Sequence, residues 1–154
     1  MSITRREICF LLAGVLPVAV ELQAMAQDES LASGVFSFDK APMHAANNNA
    51  DVRLMLRGKL ATGEDIEVHQ TKLPPGGAPT ATTHHHPHSE MWLIRKGTIE
   101  LTVNDKKSRL DPGSVGFVAS NEERGIRNVG TTPALYFVVA VGPGAELQEE
   151  RLPE

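Results

Sequence analysis

From Val52 to Val141 the chain alternates short apolar-rich stretches with turn residues and never holds a helical period for long. Val52, Leu54 and Leu56 alternate with Arg53, Met55 and Arg57 up to Gly58, which predicts a strand with its apolar side inward. Asp65 to Leu73 predicts a second, with Ile66 and Val68 on one face and Glu67, His69 and Thr71 on the other. Pro74-Pro75-Gly76-Gly77 stops it. Met91 to Arg95 is apolar on both faces, as a strand covered on both sides would be. Thr98 to Val103 alternates again with Ile99, Leu101 and Val103 inward, and Asn104-Asp105 turns it back into Lys107 to Leu110. Asp111-Pro112-Gly113 precedes a strand holding Val115, Phe117 and Val118. Ile126 to Val129 and the long apolar run Ala134 to Val141 complete the set. This spacing predicts an all-β sandwich or barrel with no long helix, no repeat and no second domain.

The segments before and after the strands divide the chain further. Arg5 and Arg6, the apolar run Ile8 to Val20 and Ala24-Met25-Ala26 predict a secretory signal peptide over residues 1–26. At about 1.5 Å per residue that run falls well short of the roughly 30 Å hydrocarbon core, so it is read as a cleaved leader and not an anchor. Thr4-Arg5-Arg6-Glu7 resembles the start of a twin-arginine signal, although Ile8-Cys9-Phe10 departs from its continuation and leaves the general secretory route open. The expectation is a periplasmic or secreted protein with no membrane association after cleavage. Residues 27–51 read as an arm and loop, with a short strand over Val35 to Phe38 and a surface histidine, His44, in the loop Ala41 to Asp51. The barrel is expected over 52–144 and a charged tail over 145–154.

Composition narrows the chemistry. The 154 residues carry a net charge of -4, so no basic surface points to nucleic acid. The single cysteine, Cys9, lies in the predicted leader. The mature chain then has no disulfide, thiol nucleophile or thiolate ligand.

One stretch stands out against this background. His84-His85-His86-Pro87-His88-Ser89-Glu90 gathers four of the six histidines and a carboxylate just ahead of an apolar strand. Imidazole nitrogens with one carboxylate suit a divalent Fe, Mn, Zn, Ni or Cu ion. On extended backbone His84 and His86 share a face while His85 points away, and Pro87 bends the chain so that Glu90 can approach the same pair. His88 and His69 are further candidates.

The stretch from Gly77 to Val141 resembles the cupin superfamily, small β-barrels of jelly-roll type. His84, His86, Glu90 and Gly97 match the spacing of the first cupin motif, whose two histidines and glutamate bind a metal inside the barrel. Aligning Gly113 and Asn128 with the ends of the second motif puts Ala119 and Asn121 where its proline and central glycine fall. The position of its fourth ligand, a histidine, is taken by Arg124. A guanidinium has no lone pair to give, so Arg124 is not a ligand.

Three arrangements follow. His84, His86 and Glu90 hold a metal with Arg124 as a clamp for an anionic substrate, or His88 or His69 supplies the missing ligand, or Arg124 pairs with Glu90 and no metal binds. Asn128, four residues beyond Arg124, either orients substrate or caps a buried turn. Trp92 and Ile94 share the parity of Glu90, and Tyr136 is read as a core hydroxyl. The resemblance implies a single-domain barrel, a homodimer as is common in the family, that binds a small polar, anionic molecule. Its chemistry would be metal-dependent oxidation or isomerisation. The alternative is a non-catalytic, metal-free binding module, with metal buffering by the histidine tract a third reading.

Overall fold

The computed structural model describes residues 30–45 and 50–145. The predicted leader, the run Asn47-Asn48-Asn49 and the tail beyond Ala145 lie outside the described residues. Among the described residues nine strands follow in order: β1 Met43–Ala45, β2 Asp51–Lys59, β3 Asp65–Leu73, β4 Ser89–Lys96, β5 Ile99–Val103, β6 Lys106–Leu110, β7 Val115–Val118, β8 Arg124–Asn128 and β9 Ala134–Val141. All pairings are antiparallel, in a six-stranded sheet of order β1-β2-β3-β9-β4-β7 and a three-stranded sheet of order β6-β5-β8. Trp92, Ile94, Tyr136 and Val138 of the larger sheet pack in one core with Ile99 and Leu101 of the smaller. The fold is an all-β jelly-roll barrel: the alternation predicts a β sandwich or barrel, and the resemblance the jelly-roll type.

Turn chemistry fixes the register. Asn104 and Asp105 both take positive φ, 45° and 65°, which matches the right-handed twist of the flanking β5 and β6. Gly97 ends β4 at φ +73°, and a Cβ there would stand 2.7 Å from the Cα of Ala134, so both conformation and space demand glycine.

Four expectations need correction. Val35 to Phe38 forms no strand; a 3-10 turn spans Phe38–Lys40, and Val35 is 93% exposed, with no sheet edge to pair with. The expected loop Ala41 to Asp51 contains β1, whose His44 stands opposite Val52. The alternation of β2 is broken by a bulge between Leu54 and Leu56, after which Arg57 pairs opposite Glu67. The strand read as covered on both faces, β4, leaves Leu93 exposed on its outer side, beside the exposed Val115 and Phe117 of β7.

Strand registers separate the barrel into two ends. At one lie Leu73, Ala134, Ile94 and Ile99, all buried and apolar. At the other the cross-strand neighbours Glu67, Ala140 and Glu90 share the inner face, with Val118 beside Glu90. The second end is the polar mouth of the barrel.

Candidate metal centre

The histidine stretch is held across the mouth by its backbone. His84 and Arg124 exchange both N–H···O bonds, at 2.9 and 2.8 Å, the N–H of Asn121 donates to the His86 carbonyl at 2.8 Å, and the Ser120 hydroxyl donates to the Pro87 carbonyl at 2.6 Å. Asn121 manages this turn at φ 63°, a left-handed conformation that asparagine tolerates. Because His84 and Arg124 face each other in this bridge, their side chains point to one side and His85 points to solvent.

Among the described residues, His86, His88 and Glu90 bring one ligand atom each to within 4.8 Å of one another. His88 and Glu90 are buried and His86 is half-buried. His84, placed first by spacing, stands outside this trio. Its ring meets His86 edge-on at 4.9 Å, with Nδ1 3.4 Å from the Thr80 hydroxyl, while the His86 and His88 rings stack at 4.7 Å. The bend at Pro87 thus carries His88 to Glu90.

The donor set fits a divalent ion. Two atoms each about 2.1 Å from a shared ion stand roughly 3.0 Å apart at a right angle and roughly 3.4 Å apart at the tetrahedral angle. His88 Nε2 and Glu90 Oε1 are 3.3 Å apart. Among the described residues the buried His86 Nδ1 has no hydrogen-bond partner, so a lone pair directed at an ion would satisfy it.

Arg124 is buried and its Nε pairs with Oε2 of Glu90, the oxygen opposite the one facing His88. Its guanidinium also lies 5.7 Å from the centre of the Trp92 ring. Burial pushes the Glu90 carboxyl up, but the His88 hydrogen bond and the Arg124 charge outweigh it and hold the group well below the ordinary carboxylate range. Burial, reinforced by the Arg124 charge, lowers the His86 imidazole to about 3, with Glu90 acting against it. His86 is therefore neutral at physiological pH, the form a ligand requires.

The remaining candidates sit elsewhere. Asn128 is fully buried at the apolar end; its Nδ2 donates to the Leu73 and Thr132 carbonyls at 2.9 Å each, and its Oδ1 accepts from the Gly130 N–H at 2.9 Å. That is the turn-capping alternative. Tyr136 is buried in the core, with its hydroxyl beside Thr71. Trp92 and Ile94 are both buried core residues, Trp92 also forming the floor under Arg124.

His69 lies on the inner face of β3 with Nδ1 2.9 Å from Oε1 of Glu67. Arg57 donates to Oε2 of the same carboxylate from Nε and Nη2 at 3.0 and 2.7 Å. Sequence alternation hides this group, because it assigns Arg57 to the outer face and only the bulge in β2 turns it inward.

Residues 69–140 match the Cupin domain family. The chain is 32% identical over 85 residues to mannose-1-phosphate guanylyltransferases from Klebsiella pneumoniae and Escherichia coli, a match covering 55% of this chain. It spans only 17% of the length of these curated relatives. Among solved structures, KdgF from Halomonas sp. is similar at a TM-score of 0.61 and 16% identity, over 71% of this chain and 95% of that one. An RmlC-like cupin from Shewanella frigidimarina reaches a TM-score of 0.59 at 16% identity, over 72% and 93%. A predicted oxalate decarboxylase from Thermotoga maritima reaches 0.56 at 21% identity, over 71% and 100%. These structural likenesses agree with a cupin-type fold, and residues 69–140 are similar to the Cupin domain family.

Proposed function

We propose that this cupin-domain chain is an exported protein that binds a divalent metal and a small, polar, anionic molecule in the polar mouth of its barrel. The observation that carries the reading is the convergence of His86, His88 and Glu90 on one buried point. His86 and His88 would offer imidazole nitrogens and Glu90 its Oε1, while Arg124 holds the other Glu90 oxygen and fixes the carboxylate's direction. A bound ion there supplies Lewis-acid polarisation of an oxygen or, if redox-active, activation of dioxygen. Arg124 adds the positive charge that favours an anion at the same mouth. The curated relatives are named for a sugar phosphate, itself an anion, which agrees with that substrate class. Turnover would be oxidation or isomerisation of such a compound.

The Arg124–Glu90 ion pair favours a second reading, in which the mouth binds its anion without metal and without catalysis. Export follows from the leader-like residues 1–26, and a homodimer belongs to the same proposal, supported by the exposed apolar Leu93, Val115 and Phe117 on one sheet face. Metal titration of variants tests the site. His86→Ala and His88→Ala should each lower affinity at least tenfold, the order of a lost ligand, while exposed His85→Ala leaves it unchanged. Equal losses in all three would identify a diffuse histidine tract instead.

A further inference from the structure

The back of the six-stranded sheet carries a cleft that the metal centre does not use. Along β3, Thr71 and Leu73 point into the barrel, so the alternating Gln70 and Lys72 point outwards, as Leu135 of β9 does between the inward Ala134 and Tyr136. The register adds Arg53 opposite Gln70, Asp51 opposite Lys72 and Met43 opposite Arg53. Phe38, in the 3-10 turn, joins Met43, Leu135 and those polar groups in lining a cleft of about 310 Å³. That volume reaches the roughly 300 Å³ at which small-molecule sites begin. Strands β3 and β9 separate it from the mouth, and the exposed Leu93, Val115 and Phe117 lie towards the sheet's other edge, on β4 and β7.

Two features of the lining suit a ligand. Arg53 is held as a plate: its Nη1 donates to the Ala41 carbonyl at 2.9 Å, and its guanidinium lies 4.6 Å from the centre of the Phe38 ring. A guanidinium has further N–H donors, and among the described residues no carboxylate meets this one. Asp51, the acid of the cleft, stands 3.7 Å from the Lys72 ammonium instead. The cleft thus keeps one positive charge fixed in place. The second feature is Gln70, 4% exposed on the floor, whose Nε2 has no hydrogen-bond partner among the described residues. An unpaired buried donor is a cost to the fold that an acceptor in the cleft would remove. The last torsion of a glutamine is broad, so its amide can turn to meet a group on the floor. The walls are apolar and uncovered, with Phe38 49% and Met43 58% exposed.

We infer that this cleft is a second binding site and that it takes a small aryl carboxylate: the carboxylate lies between Arg53 and the Gln70 amide, and the ring packs among Phe38, Met43 and Leu135. Arg53 supplies charge and direction, Gln70 a neutral donor, and the apolar walls select against acids without a hydrophobic body. No residue of the mouth takes part, so the site stands whether or not a metal is bound beside Glu90.

Calorimetric titration of the mature, untagged chain with benzoate and phenylacetate, each against its neutral amide, tests the site. Wild type should bind at least one acid saturably and about tenfold or more tighter than its amide, the order of a charge-assisted hydrogen bond. Acetate, which lacks the ring, should bind about tenfold or more weakly than that acid. Arg53→Met keeps an apolar stem against Phe38 without the charge, and should abolish the preference for acid over amide. Gln70→Glu, which sets a carboxylate on the floor, should abolish acid binding. Trp92, the single tryptophan, lies under Arg124 in the mouth, so its emission should stay constant throughout. No saturable binding of either acid, equal binding of acid and amide or of acid and acetate, or undiminished acid binding in folded Arg53→Met overturns the inference. Should Arg53→Met not fold, undiminished acid binding in Gln70→Glu does so. Binding that changes Trp92 emission and survives either variant belongs to the mouth and likewise overturns it.

Discussion

At the residue scale, function depends on how one carboxylate divides its two oxygens. Glu90 is shared between His88 on Oε1 and Arg124 on Oε2, so the carboxylate can serve a metal only if the guanidinium stays on its own side. A permanent cation so near a dication costs affinity, and the cost is large where water is excluded. Arg124→His removes that repulsion and adds a third imidazole as a fourth ligand. Metal affinity should then rise roughly tenfold or more at neutral pH, read by competition with a chelator. Unchanged affinity would show that position 124 does not touch the centre. The sequence displays the ligand types plainly but not the choice among them. Four histidines in five positions offer several triads, and which one closes depends on the bend at Pro87 and the bridge of His84 to Arg124.

Among the elements, alternation marked the strands well because one face of each is buried and the other meets solvent. Ala134–Val141 appears with the bounds its apolar run predicts, and its burial alternates strictly. Where the period breaks, the sequence is silent: the bulge in β2 costs one residue of register, and Arg57 changes face with it. Outward strand faces are obscured for a related reason, since Leu93 and Phe117 are apolar yet exposed. The junction of β4 with β9 is the element-scale point most open to test. Gly97→Ala places a methyl against the Ala134 backbone in a left-handed conformation. It should destabilise the barrel by about 2 kcal/mol or more in urea unfolding. A value near zero would mean that the two strands can part there without loss.

Across the whole molecule the barrel is polarised, with an apolar plug of Leu73, Ile94, Ile99 and Ala134 at one end and charged groups at the other. Holding neutral His86 and ionised Glu90 in that mouth makes stability depend on acid. The folded-state imidazole of His86 is lowered to about 3, against 6.5 ordinarily, so between those values the unfolded chain binds the extra proton. Stability is full above the ordinary value and falls as pH drops from about 6.5 towards 3. Glu90, also lowered, adds its own loss at the acid end of that range. Thermal melts in chelator should show a midpoint that declines with pH below 6.5, and His86→Gln should flatten the upper part of the decline. An identical slope in the variant would remove His86 from the account.

The central claim is that His86, His88 and Glu90 form a metal centre despite the arginine beside them. Elemental mass spectrometry of the mature chain, purified without a tag or added metal, tests this most directly. The account predicts close to one equivalent of a single divalent metal, lost in His86→Ala and kept in His85→Ala. A metal-free protein that also fails to take up metal on titration would contradict it, and would leave the Arg124–Glu90 pair as the core of a metal-free binding site.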